Sequence, residues 1–187
     1  MHELVKVGYD DVITLILKQN IVALFQGKSE GGPRALGNRS ILFDPRNSEA
    51  KNIVNTVKQR EWYRPFAGTI LFEYVHEWFD LRGLKETPFM MYAVNVLEDK
   101  KDLIPGIIHV DGTCRIQTVT EEQNYHYYNL IKCFYEKTGV PILFNTSFNL
   151  GGETLVYTET DGIETLQNSM IEYMYLPEKK KIIMVRN

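Results

Sequence analysis

Runs of apolar residues broken by polar punctuation divide the chain into short strands and a few helices. Asp10 is placed to cap a helix over about residues 11–18, and the apolar run IVALFQ that follows reads as a strand ending at Gly27. ILF at 41–43 is a short strand closed by Asp44-Pro45, while SEAKNIVNTV at 48–57 has a serine cap and helical spacing. GTILFEYV and MMYAVNVL are expected to be further strands. In IIHVDGTCRIQTV, Asp111-Gly112 sits between two β-rich runs and predicts a hairpin with a type I′ turn. That register would pair Val110 with Thr113, His109 with Cys114 and Ile108 with Arg115, putting Arg115 and His109 on opposite faces.

Thr120, with Gln123 placed for a capping box, predicts a helix over 121–138 that ends at Gly139 in the left-handed conformation. VPILFN is then a buried strand ending at Asn145; Asp161 begins a last helix and KKIIMV forms a terminal strand. Helices and strands mix without strict alternation. The expected fold is therefore α/β, a mixed, twisted open sheet with flanking helices, in a single domain over residues 1–187.

Composition narrows the function. The 187 residues are 44% hydrophobic and 24% charged, as expected of an ordinary globular domain, and the net charge is −3. Such a balance disfavours holding a nucleic acid by counterion release, so any anion site must be a local cluster. The N-terminal apolar residues are interrupted by charged and polar ones and make neither a signal peptide nor a membrane span, which points to the cytoplasm. Cys114 and Cys133 have no CxxC spacing and read as reduced core thiols; the four histidines form no ligand pair, so no metal site is predicted.

Against that background three arginine-bearing runs stand out. GGPRALGNRS places Arg34 and Arg39 among glycines, where Arg34 can reach a ligand and Arg39 can brace the loop. VKQREWYRPFA sets Lys58, Arg60 and Arg64 on an apolar and aromatic background; if 57–60 is extended, Lys58 and Arg60 project to one side. Arg115 lies on an otherwise apolar strand, where an aliphatic stem on the sheet is the plainer explanation. FNTSFNLGG offers Asn145, Ser147 and Asn149 at a strand's C-terminal end, where open α/β sheets bind ligands. Gly27-Lys28-Ser29 lacks the glycine five residues earlier that a Walker loop requires. Arginine forks, a lysine and close-approach glycines make an inventory for a phosphorylated ligand, acting by positioning and charge neutralisation.

GGPRALGNRSILFDPR, VKQREWYRPFA, HVDGTCRIQTV and TGVPILFNTSFNLGGE together resemble the C-terminal region of the O-carbamoyltransferases of the nodulation-protein and antibiotic-tailoring type. The resemblance implies a YrdC-like fold with a concave positive groove, in which ATP and carbamoyl phosphate give carbamoyl adenylate with Mg²⁺ assisting. It further implies a separate N-terminal Kae1-like domain, carrying a metal, that passes the carbamoyl group to a hydroxyl. By motif, Lys58, Arg64 and Arg115 would be catalytic and Arg34, Met90, Asn145 and Ser147 substrate-binding, the main chain around Met90 lining the nucleotide pocket. Two departures are Glu30-Gly31, where an aromatic usually follows the acid, and Gly152-Glu153-Thr154 in place of a GEP sequence. The chain is expected to be an excised domain rather than a separate subunit. Rival readings are a non-catalytic nucleotide or phosphate-ligand module and an RNA-binding module.

Overall fold

The computed structural model describes residues 2–185. Among the described residues ten strands form one mixed sheet, in the order β1-β10-β9-β2-β3-β8-β4-β7-β6-β5. They are β1 His2–Lys6, β2 Val22–Phe25, β3 Arg39–Phe43, β4 Ala67–Leu71, β5 Phe79–Asp80, β6 Ala93–Val96, β7 Thr113–Val119, β8 Ile142–Ser147, β9 Tyr173–Leu176 and β10 Lys181–Val185. β3, β8 and β4 are central, and their fully buried residues mark strands covered on both faces.

Among the described residues five α-helices flank the sheet: α1 Tyr9–Leu17, α2 Ala50–Val57, α3 Val75–Trp78, α4 Tyr125–Thr138 and α5 Glu159–Gln167. α1 packs on α4, and Lys137 pairs with Asp10 at 2.6 Å across them. Gly139 at φ 72 closes α4 in the left-handed conformation, as expected. No helix of the described residues is long and apolar enough to cross a membrane. Cys114 and Cys133 are free thiols.

Several local expectations are corrected. α1 is capped by Gly8 and already includes Asp10, while Asp11 accepts from the Gly8 N–H at 2.8 Å. Thr120 and Gln123 do exchange both capping bonds, but they close a turn; Asn124 caps α4 by accepting from the Tyr127 N–H at 3.2 Å. Ser48 does not cap α2, which starts at Ala50. After Leu71 the GTILFEYV run bends into a helical turn at Phe72–Tyr74 and then α3.

The Asp111-Gly112 turn forms, but the hairpin does not. Asp111 folds back to accept from the Thr113 N–H at 3.0 Å and hydroxyl at 2.7 Å. His109 N–H donates to the Thr113 carbonyl at 2.8 Å, so His109 rather than Val110 meets Thr113. Pro105–Ile107 before it is a 3-10 turn. β7 instead pairs with β4 in parallel and β6 antiparallel, because those partners give it a ladder on both edges.

Candidate functional site

Strand register assembles the site. Ala67 of β4 is the cross-strand partner of both Arg115 in β7 and Asn145 in β8. Partners share a face, so the three form one row, and steps of two along the strands add Gln117, Thr69 and Ser147 to the same face. Their side chains interlock: Thr69 Oγ1 donates to Gln117 Oε1 at 2.8 Å, and Asn145 Nδ2 donates to Thr69 Oγ1 at 3.0 Å.

The glycine-rich loop folds over this row. Glu30 holds it from inside, Oε1 accepting from the Leu36 and Asn38 N–H groups at 2.9 and 2.6 Å and Oε2 from the Arg39 N–H at 3.1 Å. The loop then offers carbonyls to the sheet: Ala35 O accepts from Asn145 Nδ2 and Leu36 O from Gln117 Nε2, both at 3.1 Å. Gly37, at φ 103, lies against the Tyr127 ring so closely that no Cβ fits. Arg39 is the brace the sequence suggests: its guanidinium donates to the carbonyls of Gln26, Gly27, Asn38 and Tyr157 and stacks 3.6 Å over Phe25. Arg34 makes one long bond, to the Pro33 carbonyl at 3.3 Å.

Between loop and sheet lies a cavity of about 230 Å³. Arg34, Arg64, Met90, Arg115, Asn145 and Ser147, expected from separate segments, all line it, together with Arg60. Arg34, Arg60 and Arg115 make no ion pair among the described residues, whereas Arg64 pairs with the exposed Glu61 at 2.6 Å. Burial, then the charges of Arg64 and Arg115, push Arg60 down to about 10. Arg115 is lowered too, by burial and then by Arg34. Such shifts mark cations held together without counter-charge, an arrangement an anionic ligand relieves.

Lys58 is placed differently from its neighbours. The segment 57–60 is not extended: Val57 ends α2, Lys58 is its C-cap, and Gln59 turns at φ 54. The helical spacing continues to Val57, and the chain then folds back so that Arg60 N–H reaches the Asn55 carbonyl at 3.1 Å. Lys58 and Arg60 nonetheless both face a second hollow, of about 700 Å³, which shares Arg60, Arg64 and Ser147 with the first. Lys58 is buried, and its Nζ donates to the Ser147 carbonyl, to Asn149 O at 2.7 Å and to Asn149 Oδ1 at 3.1 Å. Burial, then Arg60, lowers its pKa to about 7.

Arg60, Gln117 and Thr69 were not expected in the site. Arg60 sits in the basic run, so its residue type was visible; its aim depends on Asn55 Oδ1, which accepts from its Nε at 2.6 Å, and on the Phe66 ring 4.2 Å away. Gln117 and Thr69 carry no signal except strand alternation from Arg115 and Ala67. Among the described residues no group of three or more His, Cys, Asp or Glu side chains is placed to hold a metal ion.

Fold and site together define a class: an α/β domain with an arginine-lined hollow beneath a loop that crosses its central strands. Residues 13–181 match the family model of the carbamoyltransferase C-terminus, and the chain belongs to that family. It is 48% identical over 147 residues to nodulation protein NolNO of Sinorhizobium fredii, covering 78% of this chain and 22% of that protein. It is 36% identical over 157 residues to the 3′-hydroxymethylcephem-O-carbamoyltransferase of Amycolatopsis lactamdurans, covering 82% of this chain and 29% of that one. The chain thus spans less than a third of either relative. Among solved structures, full-length HypF in its phosphate- and nucleotide-bound form matches 90% of this chain and 21% of its own, with a TM-score of 0.60 at 20% identity. That likeness is one of fold, and the mixed, twisted open sheet expected from the sequence is the one observed.

Proposed function

We propose that this domain binds ATP and carbamoyl phosphate and forms carbamoyl adenylate, as the C-terminal part of an O-carbamoyltransferase whose Kae1-like N-terminal domain transfers the carbamoyl group to a hydroxyl. The observation that carries this reading is the convergence of Arg34, Arg60 and Arg115, without carboxylate partners, on one cavity beside Asn145 and Ser147. Its volume suits a phosphate or carbamoyl group, and the adjoining hollow gives room for a polyphosphate that both regions can grip through Arg60 and Arg64. The family membership and the phosphate- and nucleotide-bound state of HypF support the same choice of ligands.

Chemically, water would attack the phosphorus of carbamoyl phosphate, breaking its bond to the carbamoyl oxygen and releasing inorganic phosphate, and the carbamate so freed would attack the α-phosphorus of ATP through one oxygen. The bond from that phosphorus to the bridging oxygen breaks, and pyrophosphate leaves. Charge accumulates on the transferring and departing phosphates, which arginine forks already in position can offset without reorganisation. Mg²⁺ would supply further neutralisation along the polyphosphate. With no carboxylate cluster among the described residues to seat it, the ion would enter with the nucleotide.

The test is pyrophosphate release from ATP on addition of carbamoyl phosphate, by wild-type protein and by Arg115→Ala. The variant is expected to keep its fold and lose about 2–4 kcal/mol of transition-state stabilisation, on the order of 30- to 1000-fold in rate. Undiminished turnover in the variant removes Arg115 from the chemistry. ATP binding without any pyrophosphate release would replace adenylation by simple nucleotide binding.

A further inference from the structure

The stretch between Arg60 and β4 is clamped by side chains from two other parts of the fold. Asn55 of α2 donates through Nδ2 to the carbonyls of Trp62 and Arg64, at 3.1 and 3.2 Å. The next alternate carbonyl, that of Phe66, is met by His109 Nε2 at 3.1 Å. Phe66 matters to the site because its ring centre lies 4.2 Å from the Arg60 guanidinium and 4.6 Å from that of Phe144. The residue after it, Ala67, is the cross-strand partner of Arg115 and Asn145. His109 therefore grips the main chain between the cationic run and the row beneath the cavity.

The state of its imidazole follows from what the partners can give. A main-chain carbonyl has no proton, so Nε2 must carry one. Nδ1 faces the Thr113 hydroxyl at 3.1 Å, and the single proton of that hydroxyl is committed to Asp111 Oδ1 at 2.7 Å. Towards the ring the hydroxyl oxygen can only accept, so Nδ1 is protonated as well, and a histidine that donates from both nitrogens is an imidazolium. Asp111 answers it: the bonds from the Thr113 hydroxyl and N–H hold its carboxyl below the usual carboxylate range, which keeps it ionised. Lys101, whose Nζ comes up to Gly112 in the same turn, is paired with Glu98 at 2.5 Å. Burial pushes the Cys114 thiol of β7 up to about 12 and leaves it uncharged. The main chain of His109 is fixed too, its N–H donating to the Thr113 carbonyl at 2.8 Å and its carbonyl accepting from the Gly112 N–H at 2.9 Å.

We infer that His109 is a positioning residue for the arginine-lined cavity: held doubly protonated by Asp111 through the Thr113 hydroxyl, it fixes the Phe66 peptide and thereby the aim of Arg60. The inference rests on the anion site proposed above and names the side chain that sets one of its guanidiniums from outside. His109 touches no ligand. It acts through the Phe66 carbonyl, whose place decides where the ring beneath Arg60 lies.

Nitrogen-15 NMR of the imidazole and calorimetric titration with pyrophosphate, on the same protein, test this. Both His109 ring nitrogens should carry protons at pH 7 in the wild type and in Thr113→Ser, which keeps the hydroxyl, whereas Thr113→Val should leave Nδ1 bare. His109→Leu should weaken pyrophosphate binding about tenfold, as expected when a donor is displaced slightly from its ligand. His109→Gln, which retains one donor for the Phe66 carbonyl, should lose less. Because the effect runs through Arg60, it should largely vanish in an Arg60→Met background and persist in full beside Arg34→Met, while a general weakening of the fold would add equally to both. Thr113→Val should give a smaller loss with the same dependence on Arg60, so the test survives a failure of His109→Leu to fold. A bare ring nitrogen in the wild type overturns the inference, as does a loss that is absent or equal in the two arginine backgrounds, and either result leaves the anion site standing. Failure of the wild type to bind pyrophosphate removes the proposed function, and the role of His109 with it.

Discussion

Lys58 and Asn149 are joined twice over, the lysine Nζ donating to the asparagine carbonyl at 2.7 Å and to its Oδ1 at 3.1 Å. The Gly151 N–H returns a bond to the Lys58 carbonyl at 2.6 Å. With the Ser147 carbonyl as a third acceptor, the three donors of the ammonium are all engaged within the protein. In this structure Lys58 shapes the loop that carries Ser147 and leaves the guanidiniums as the free donors.

This arrangement makes stability depend on pH in a definite sense. The folded pKa of about 7 lies below the lysine's ordinary value of 10.5, so between them the unfolded chain carries a proton that the folded chain lacks. Stability of the ligand-free protein should therefore rise as pH increases from about 7 towards 10.5, and the destabilisation is fully present below 7. A polyanion near Nζ favours the charged form. Pyrophosphate affinity should fall as pH rises through 7, by up to about tenfold per unit. Thermal unfolding and calorimetric titrations at several pH values check both slopes, and Lys58→Met should flatten them; unchanged slopes in that variant would assign the titration to another group.

Arg115 should show a conflict between stability and binding. Its Nε is buried without a partner, and Arg34 repels it. Replacing it with a residue of similar length and no charge, Arg115→Met, should raise the unfolding temperature of the ligand-free protein by about 2–4 °C for each kcal/mol relieved. The same change should weaken pyrophosphate binding by about 2–4 kcal/mol. A lowered unfolding temperature would show that the guanidinium anchors the sheet instead.

Glu30 should matter although it touches no ligand. It is the acceptor for three main-chain N–H groups of the loop that carries Arg34. Glu30→Ala should cost about 2 kcal/mol or more of stability, and the Leu36 and Asn38 amides should lose hydrogen-exchange protection. Glu30→Gln, which keeps one acceptor oxygen, should fall between. Full protection of both amides in Glu30→Ala would mean that the loop is held by Arg39 alone.

Much of the site could be read from residue types. Arg34 among glycines, Arg64 before a proline, Arg115 on an apolar strand and Asn145 with Ser147 after a buried strand were each anomalous locally, and each lines the cavity. The helix end at Gly139 and the brace at Arg39 were legible for the same reason, since a left-handed turn and a cation among apolar residues leave few options. β1 and β9 were missed; β1 pairs with β10, and β9 with β2, from distant parts of the chain. The supposed hairpin failed similarly: the turn signal at Asp111-Gly112 was real, but β7 found better partners in β4 and β6.

The sequence by itself determined the chemical inventory, a set of guanidiniums and amides placed where glycine, proline or an apolar strand made them conspicuous. Only the tertiary structure decided that Arg115, Ala67 and Asn145 share a row, that Gln117 and Thr69 lie beneath it, and that the lysine is turned towards its own loop. The reason is that residue type and short-range propensity act over a few positions. Strand register couples residues far apart in sequence, and a shift of one residue would turn each of these side chains to the other face.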